Sequence, residues 1–502
     1  MKTWKKIAVL SLLIVQFGTI YGNSVNTVIS TEKNKEYSIN FDNNNYTVKT
    51  LTVNGQTIKY RAFEKIIYVK NPIDTKYEVM NLDVPEAYYE GKSIGTYNKD
   101  NAPIFFPNMV GGYMPAEPGT PGTDRSGLNP NAEFVALSKG YVVAEPGARG
   151  RTTQDANGKY TGKAPADIVD LKAAVRYLHF NDSVMPGDAN KIISNGTSAG
   201  GALSALIGGS GNNTDYEPYL KEIGAANGKD DIFAVSAYCP ITNLDHADMA
   251  YEWMFNGINN YKKLVMTGMI DFNVKRTLVE GTMTDSQIKL SKELSAMFPS
   301  YINSLGLKDE KGNILSMDSN GNGNFKNYIK SFIVASAQKA LDNGTDLSTL
   351  TWITIKNKTV IDIDFDSYVK YVGRMKTTSA FDGVDLSTGE NDLFGTADTK
   401  AQHFTTYGKE NSTVNGSSAD SLIVKMMNPL NYIGTKGTTI AKYWRIRHGG
   451  IDSDTSVAIS TILSTTLKNK GFDVDYAVPW GVPHSGDYDL DELFAWMEKI
   501  SK

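Results

Sequence analysis

The ten residues Ser194–Leu203, SNGTSAGGAL, constrain the possible folds more strongly than any other stretch of the chain. An apolar, strand-compatible segment precedes them, and a helix-compatible ALSALI sequence begins at their end. A serine on a sharp strand-to-helix turn projects its hydroxyl above the sheet, and small residues two positions before and after it avoid collisions with neighbouring backbone. Gly196 and Gly200 occupy those positions around Ser198, so the segment predicts a nucleophile elbow. The alternative is a glycine-rich turn around a buried serine.

Strand and helix patterns alternate on both sides of this segment. Between Lys35 and Val69, apolar and polar residues alternate around Asn54-Gly55, which is a strong hairpin signal. The other segments predicted as strands are 77–85, 102–112, 140–150, 190–196, 229–243, 440–450 and 472–480. The segments predicted as helices are 164–180, where apolar residues recur at intervals of three and four, 456–471 and 491–502. This alternation indicates an α/β fold with a mostly parallel sheet.

The pattern changes between about Asp245 and Thr438, where helical patterns dominate and polar loops interrupt them. The simplest organisation is one α/β domain that is interrupted by a large, mostly helical lid. The predicted boundaries are 1–22 for a signal peptide, 23–245 for the first part of the α/β domain, 246–438 for the lid insertion and 439–502 for the second part.

The start of the chain has the pattern of an export signal. Lys2, Lys5 and Lys6 precede an apolar run from Ile7 to about Phe17. Such a run is too short to span a bilayer comfortably and is typical of a signal-peptide core. We expect cleavage near residues 20–22 and export to the periplasm or the medium, with an uncleaved anchor as the alternative.

The charge of the chain argues against nucleic-acid and membrane partners, and its cysteine content excludes an intramolecular disulfide. The 51 basic and 55 acidic side chains give a net charge of −4, and no basic stretch stands out. Nucleic acids and anionic membrane surfaces are therefore poor candidate partners. No later apolar run reaches about 18 residues, so no stable membrane insertion is expected after signal removal. Cys239 is the only cysteine, which excludes an intramolecular disulfide, and its apolar neighbours predict a buried structural thiol.

The partners of Ser198 decide whether the elbow is functional. The five histidines of the chain are His179, His246, His403, His448 and His484. In an α/β-hydrolase the serine is followed by an acid and then by a histidine, both on loops after late strands. Only His484 follows the last predicted strand, in the loop before the closing helix.

The acid is expected after the preceding strand, where Asp452 and Asp454 lie. Either carboxylate could bond the imidazole N–H, fix its tautomer and stabilise the imidazolium. The alternative for both is N-capping of the helix that follows, a common use of aspartate. The oxyanion donors would be the N–H of Ala199 and one N–H of Gly111-Gly112, of which Gly112 is favoured. The alternative for the two glycines is a plain turn.

Several segments together resemble the bacterial tannases of subtype B, which are α/β-hydrolases with a large lid that cleave galloyl esters. The segments are SNGTSAGGALSALIG, AYCPITNLDHADMAYEWM, RHGGIDSDTS and PWGVPHSGDYDLDELFAWM. The elbow is generic, whereas the D-x-D-T-S and P-H-S-G-D-Y-D stretches are much more specific. Fungal tannases and feruloyl esterases link their Asp and His segments by a disulfide, which a chain with one cysteine cannot form.

The resemblance implies a role for individual residues of this chain. It makes Asp452 the triad acid and Asp454 a substrate-binding group. It implies that a lid lysine and a glutamate fourteen residues later bind the ring hydroxyls. In this chain these residues are Lys376 and Glu390 (390 − 376 = 14). It places Ile241 against the aromatic ring. Without the resemblance, solvated charges would be the simpler interpretation of Lys376 and Glu390.

These patterns predict a serine esterase that releases gallate from gallotannins or simple gallate esters through an acyl-enzyme. The partner is then a small-molecule ester, and no metal or organic cofactor is implied. One alternative is a feruloyl or other aromatic carboxylesterase on the same scaffold. A second alternative is a non-catalytic polyphenol-binding protein. The intact set of serine, aspartate and histidine argues against this alternative. A peptidase is a weaker alternative, since nothing in the chain resembles a propeller domain.

Overall fold

A nine-stranded sheet forms the centre of the computed structural model, which describes residues 36–270 and 273–502. The predicted signal peptide, 1–22, lies outside the described residues, as do residues 23–35. The strands of the described part are β1 (Thr47–Val53), β2 (Gln56–Ile67), β3 (Val79–Pro85), β4 (Pro103–Pro107), β5 (Val142–Pro146), β6 (Asp188–Thr197), β7 (Ala234–Tyr238), β8 (Asn260–Ile270), β9 (Asn273–Thr282), β10 (Ile353–Lys356), β11 (Thr359–Ile363), β12 (Tyr443–Arg447) and β13 (Asp473–Ala477).

The sheet has the order β1-β2-β3-β5-β4-β6-β7-β12-β13. The first three strands and β5 pair antiparallel, and every pairing from β5 to β13 is parallel. The predicted hairpin joins β1 and β2 at Asn54-Gly55, both with positive φ. Strands β3, β4, β5 and β7 are buried along their whole length, as expected for strands covered on both faces. The predicted mostly parallel α/β sheet is confirmed.

Helices flank this sheet and also build most of the segment between β7 and β12. The α-helices of the described part are α1 (Ala132–Ser138), α2 (Ala166–Asn181), α3 (Ala199–Gly209), α4 (Glu217–Glu222), α5 (Leu244–Phe255), α6 (Asp285–Leu305), α7 (Asn324–Asp342), α8 (Phe365–Val372), α9 (Gly389–Leu393), α10 (Thr406–Glu410), α11 (Ser421–Met426), α12 (Val457–Asn469) and α13 (Leu490–Ser501). In the described part of the chain, no helix is both long and apolar enough to cross a membrane.

The described residues of the predicted insertion, 246–438, contribute no strand to the nine-stranded sheet. They are less purely helical than the sequence predicted, because they hold two hairpins, β8–β9 and β10–β11. The predicted boundary after residue 245 falls in the first turn of α5. Residues Glu36–Lys502 cluster as one compact unit, and the domain boundaries stay a prediction.

A cluster of buried carboxyl groups lies between β3, β5 and α1. Burial raises the pKa of Asp83 to about 7, and burial together with the charge of Asp487 raises the pKa of Glu133 to about 8. Glu145 is fully buried, and burial, followed by the charges of Asp83 and Glu133, raises its pKa well above the ordinary value. The native state therefore holds protons here that the unfolded chain has lost by neutral pH.

Raised carboxyl pKa values stabilise the native state fully below pH 4, and that stabilisation is lost as the pH rises through 7 and 8. We therefore expect Glu145→Gln, which needs no proton to stay neutral, to raise Tm by a few degrees at pH 9 and much less at pH 5. Thermal unfolding of both proteins at the two pH values measures this difference. Glu498→Gln, at an exposed carboxylate of α13, is the matched control. An equal Tm change for Glu145→Gln at both pH values would contradict the expectation.

Candidate active site

Ser198 lies on a strained turn between β6 and α3, with φ 62° and ψ −121°. A Cβ atom on Gly196 would lie 2.3 Å from the carbonyl oxygen of Gly200. A Cβ on Gly200 would lie 2.6 Å from the carbonyl oxygen of Val110. Both positions therefore require glycine for steric reasons, and the turn has the geometry predicted for a nucleophile elbow.

The structure brings the three residues of the predicted triad into one hydrogen-bonded chain. His484 Nε2 is 2.8 Å from Ser198 Oγ, and His484 Nδ1 is 2.8 Å from Asp452 Oδ2. The other Asp452 oxygen, Oδ1, accepts the backbone N–H of Asp454 at 2.8 Å. The alternative in which the aspartates cap α12 does not hold, since Ser456 is the N-cap.

The electrostatics of the triad stabilise the imidazolium that forms when His484 accepts a proton. Burial disfavours the imidazolium, but the carboxylates of Asp452 and Asp454 outweigh it and raise the pKa of His484 well above its usual value. Asp452 is completely buried, yet the charges of His484 and His448 keep its pKa below the usual value. An ionised Asp452 is thus positioned to stabilise an imidazolium at His484.

A second set of the same residue types shows why geometry alone does not make a triad. His403 Nδ1 is 2.7 Å from Asp382 Oδ1, and its Nε2 is 2.8 Å from Ser412 Oγ. The His403 side chain is fully buried, and Asp382 also accepts N–H groups from Phe404 and Thr405. This second set ties together the segments around Asp382, His403 and Ser412 and presents no nucleophile on a strained turn.

The two predicted oxyanion donors lie on segments that flank the elbow. Ala199 is the first residue of α3. The loop after β4 passes beside Gly200 and then makes a tight turn, in which Gly112 and Tyr113 both have positive φ and the N–H of Met114 donates to Gly111. The preference for Gly112 as the second donor stays a prediction.

Two of the three predicted ring-binding residues contact each other beside the triad. Lys376 Nζ is 2.6 Å from Asp454 Oδ1, and Asp454 Oδ2 is 3.2 Å from His484 Nε2. Although burial acts against ionisation of Asp454, the charge of Lys376 lowers its pKa to about 2. Glu390 interacts electrostatically with both, and its pKa is raised, mainly by burial. These are partly buried charges in one network, not solvated surface charges.

Ile241 is buried directly behind the elbow. Its N–H donates to the carbonyl of Ser198 at 3.3 Å, and its own carbonyl accepts the hydroxyl of Tyr113 at 3.1 Å. Contact of its side chain with a substrate ring stays a prediction.

Two residues, Cys239 and Arg151, lie close to the site although the sequence did not predict that they would. Cys239 is buried as predicted, but its Sγ lies 3.9 Å from His484 Nε2. Arg151 donates from Nε to the carbonyl of Gly112 at 2.8 Å. Among the described residues, Cys239, Asp452 and His484 also form one group whose potential metal ligands lie within 4.8 Å of one another. Both nitrogens of His484 are engaged by Asp452 and Ser198, so the arrangement favours proton transfer over metal binding.

The sheet order, the elbow and the triad geometry define an α/β-hydrolase. The BD-FAE family matches residues 123–279, and no curated protein matches the chain. Among solved structures, the tannase of Fusobacterium nucleatum has a TM-score of 0.90 and 53% identity, covering 93% of this chain and 100% of that one. The tannase of Lactobacillus plantarum has a TM-score of 0.89 and 45% identity, covering 93% and 100%. A tannin acyl hydrolase in complex with ethyl gallate has a TM-score of 0.86 and 44% identity, covering 92% and 99%.

Identity of this extent over nearly the whole chain shows the family. The protein belongs to the bacterial tannases, which are carboxylic ester hydrolases. The family resemblance inferred from the sequence is therefore confirmed.

Proposed function

We propose that the protein hydrolyses the galloyl ester bonds of hydrolysable tannins and of simple gallate esters and releases gallic acid. The observation that carries the proposal is the position of Asp454, which contacts His484 on one side and Lys376 on the other. A group that recognises the acyl ring thus lies 3.2 Å from the imidazole nitrogen that moves the proton. The solved tannin acyl hydrolase with ethyl gallate supports this substrate class.

In the proposed reaction, Ser198 Oγ attacks the ester carbonyl while His484 Nε2 accepts the hydroxyl proton. The N–H groups of Ala199 and Gly112 hold the oxyanion that forms. His484 then gives its proton to the departing alcohol, which leaves a galloyl ester on Ser198. His484 next takes a proton from water, the hydroxide attacks the acyl carbon, and gallic acid leaves with Ser198 restored. Asp452 keeps the imidazole in the required tautomer throughout.

The ring-binding groups match the chemistry of a galloyl ring. Its three adjacent hydroxyls are donors, and the carboxylates of Asp454 and Glu390 are strong acceptors. The ammonium of Lys376 can donate to a phenol oxygen. Charge-assisted hydrogen bonds of this kind contribute about 1.5–3 kcal/mol each. A ferulate ring, with one free hydroxyl and a methoxy group, would leave part of this set unused.

The proposal is tested by measuring gallate release from methyl gallate beside ferulate release from methyl ferulate. We expect methyl gallate to be the better substrate, and faster release of ferulate would favour the feruloyl esterase alternative. A fluorophosphonate should label Ser198. A polyphenol-binding protein would neither be labelled there nor release acid.

We also propose that residues 1–22 direct export to the periplasm or the medium and that residues 246–438 serve as a lid. N-terminal sequencing of the mature protein tests the export proposal. A mature chain that still begins at residue 1 would contradict cleavage near residues 20–22 and would favour the uncleaved anchor.

The proximity of Asp454 to His484 predicts a specific pH effect. Catalysis needs neutral His484, and the Asp454 carboxylate raises the pKa of His484. Asp454→Asn should therefore move the acidic limb of kcat/KM to lower pH, by about one unit for a charge at this distance in a water-like dielectric. Methyl benzoate is the suitable substrate because it has no ring hydroxyls. Glu64→Gln, at a carboxylate of β2 that pairs with Lys49 of β1, should leave the limb in place, and an unmoved limb in Asp454→Asn would refute the coupling.

A further inference from the structure

Arg151 is placed between the predicted oxyanion turn and the helix that carries Glu390. On the side of the turn, its backbone N–H donates to the carbonyl of Tyr113 at 2.9 Å. Its side-chain Nε donates to the carbonyl of Gly112 at 2.8 Å. One residue therefore holds two consecutive carbonyls of a turn whose central residues both have positive φ.

On the other side, Arg151 Nη1 is 2.5 Å from Asp392 Oδ2, in the short helix α9 that also contains Glu390. A Cβ atom on Gly389 would lie 3.3 Å from Arg151 Cζ, so the guanidinium also packs against the first residue of that helix. The ion pair is largely shielded, with 13% of the Arg151 side chain and 8% of the Asp392 side chain exposed.

Neighbouring contacts make this connection stiff. Lys163 Nζ donates to Asp392 Oδ1 at 2.5 Å and to the backbone carbonyl of Asp392 at 2.8 Å. The N–H of Ala164 donates to the carbonyl of Leu393 at 2.9 Å. The loop 147–165 thus contacts α9 through several residues. Of these, Arg151 also contacts the predicted oxyanion turn.

We propose that Arg151 is a positioning residue that couples oxyanion stabilisation to recognition of the galloyl ring. Its guanidinium fixes the orientation of the Gly111–Met114 turn and, through Asp392, the position of Glu390. A substrate whose ring is bound by Glu390 then has its ester carbonyl oxygen aligned with the N–H groups that stabilise the oxyanion. The inference rests on the proposed function, since it assumes a substrate with ring hydroxyls.

The two contacts of Arg151 can be separated by mutation. Arg151→Met removes both contacts, so we expect kcat to fall about 10- to 100-fold for methyl gallate and methyl benzoate alike. This loss of kcat is smaller than the loss expected when an oxyanion donor itself is removed. We expect KM to rise several-fold for methyl gallate only. Asp392→Asn keeps the contact of Arg151 with the turn and weakens its contact with α9, together with that of Lys163, so it should raise KM for methyl gallate and leave kcat for methyl benzoate unchanged. In Arg151→Lys, an ammonium without the planar fork cannot serve both partners, so kcat should fall.

Arg61→Met is the matched control, because Arg61 of β2 forms a similarly shielded ion pair with Glu86, which follows β3, with 18% and 11% of the side chains exposed. A purely structural role predicts that Arg151→Met lowers Tm as the control does and leaves both kinetic constants unchanged. That result would overturn the inference, as would additive effects of Arg151→Met and Glu390→Gln on KM for methyl gallate.

If Arg151→Met does not fold, Arg151→Lys and Asp392→Asn test the same coupling. A wild-type enzyme with no preference for methyl gallate over methyl benzoate would instead refute the proposed function. The two failures are therefore distinguishable.

Discussion

Replacing Ser198 or His484 by alanine should lower kcat for methyl gallate by roughly three or more orders of magnitude. Without the hydroxyl, no covalent intermediate can form. Without the imidazole, the hydroxyl 2.8 Å away has no base to accept its proton. Both side chains are partly exposed, so the fold should survive, as circular dichroism and Tm would show. Steady-state release of gallate measures the loss.

The second Ser-His-Asp set provides an internal control for this prediction. Ser412→Ala removes a hydroxyl that makes the same 2.8 Å contact with His403, yet it should leave kcat within about twofold of wild type, because Ser412 is hydrogen-bonded to His403 and Gly416 and to no residue of the triad. Fluorophosphonate labelling should disappear in Ser198→Ala and persist in Ser412→Ala. Near-normal turnover by Ser198→Ala would show that the elbow is not the nucleophile.

Asp452→Asn and Asp454→Asn should impair the enzyme in different ways, although one residue separates them. Asp452→Asn should depress kcat for every ester, because the tautomer of His484 is no longer fixed. Asp454→Asn removes a charged acceptor for a ring hydroxyl. It should therefore cost about ten- to a hundredfold in kcat/KM for methyl gallate, the equivalent of about 1.5–3 kcal/mol.

Methyl benzoate lacks the ring hydroxyls and should be nearly indifferent to Asp454→Asn once its altered pH profile is allowed for. Lys376→Ala and Glu390→Ala should follow the same pattern as Asp454→Asn. Kinetics of each variant on both esters, each at its own pH plateau, make the comparison. Equal losses on the two esters for Asp454→Asn would exclude a role in ring recognition.

The parts of the site that the sequence predicted are those fixed by local geometry. Gly196 and Gly200 identify the elbow because a side chain at either position would collide with backbone. Asp452 and His484 could be located because each follows a segment that the sequence predicts as a strand, 440–450 and 472–480. A parallel sheet brings the ends of its strands to one edge, so their order along the chain was sufficient to group them.

The parts that the sequence missed depend on contacts between distant segments. Arg151 lies in an irregular loop, and its partners, Gly112 and Asp392, are 39 and 241 residues away. No local pattern marks such a residue. Cys239 was predicted to be a buried thiol from its apolar neighbours, but its proximity to His484, which follows β13, depends on the pairing of β7 with β12 and of β12 with β13. The pairing of Lys376 with Asp454 likewise needs the insertion to fold back onto the sheet edge.

The hairpin β8–β9 was missed for a different reason. Its strands carry many charged and polar side chains, as in NYKKLVMTGMI and NVKRTLVEGT, and no turn dipeptide of the Asn-Gly type joins them. The two strands pair with each other and so satisfy their own backbone hydrogen bonds. The hairpin therefore forms without the alternating apolar pattern by which a strand is recognised in a sequence. A helical expectation for the whole insertion therefore overlooked it.

The ratio of kcat/KM for methyl gallate to kcat/KM for methyl benzoate in the wild-type enzyme tests the central claim most directly. Two or more charge-assisted hydrogen bonds to ring hydroxyls, each equivalent to about a tenfold preference or more, predict a ratio of at least about 100. Both esters share the methanol leaving group and the same bond to be cleaved, so the ratio isolates recognition of the ring. A ratio near one would contradict the assignment of Lys376, Glu390 and Asp454 to galloyl recognition.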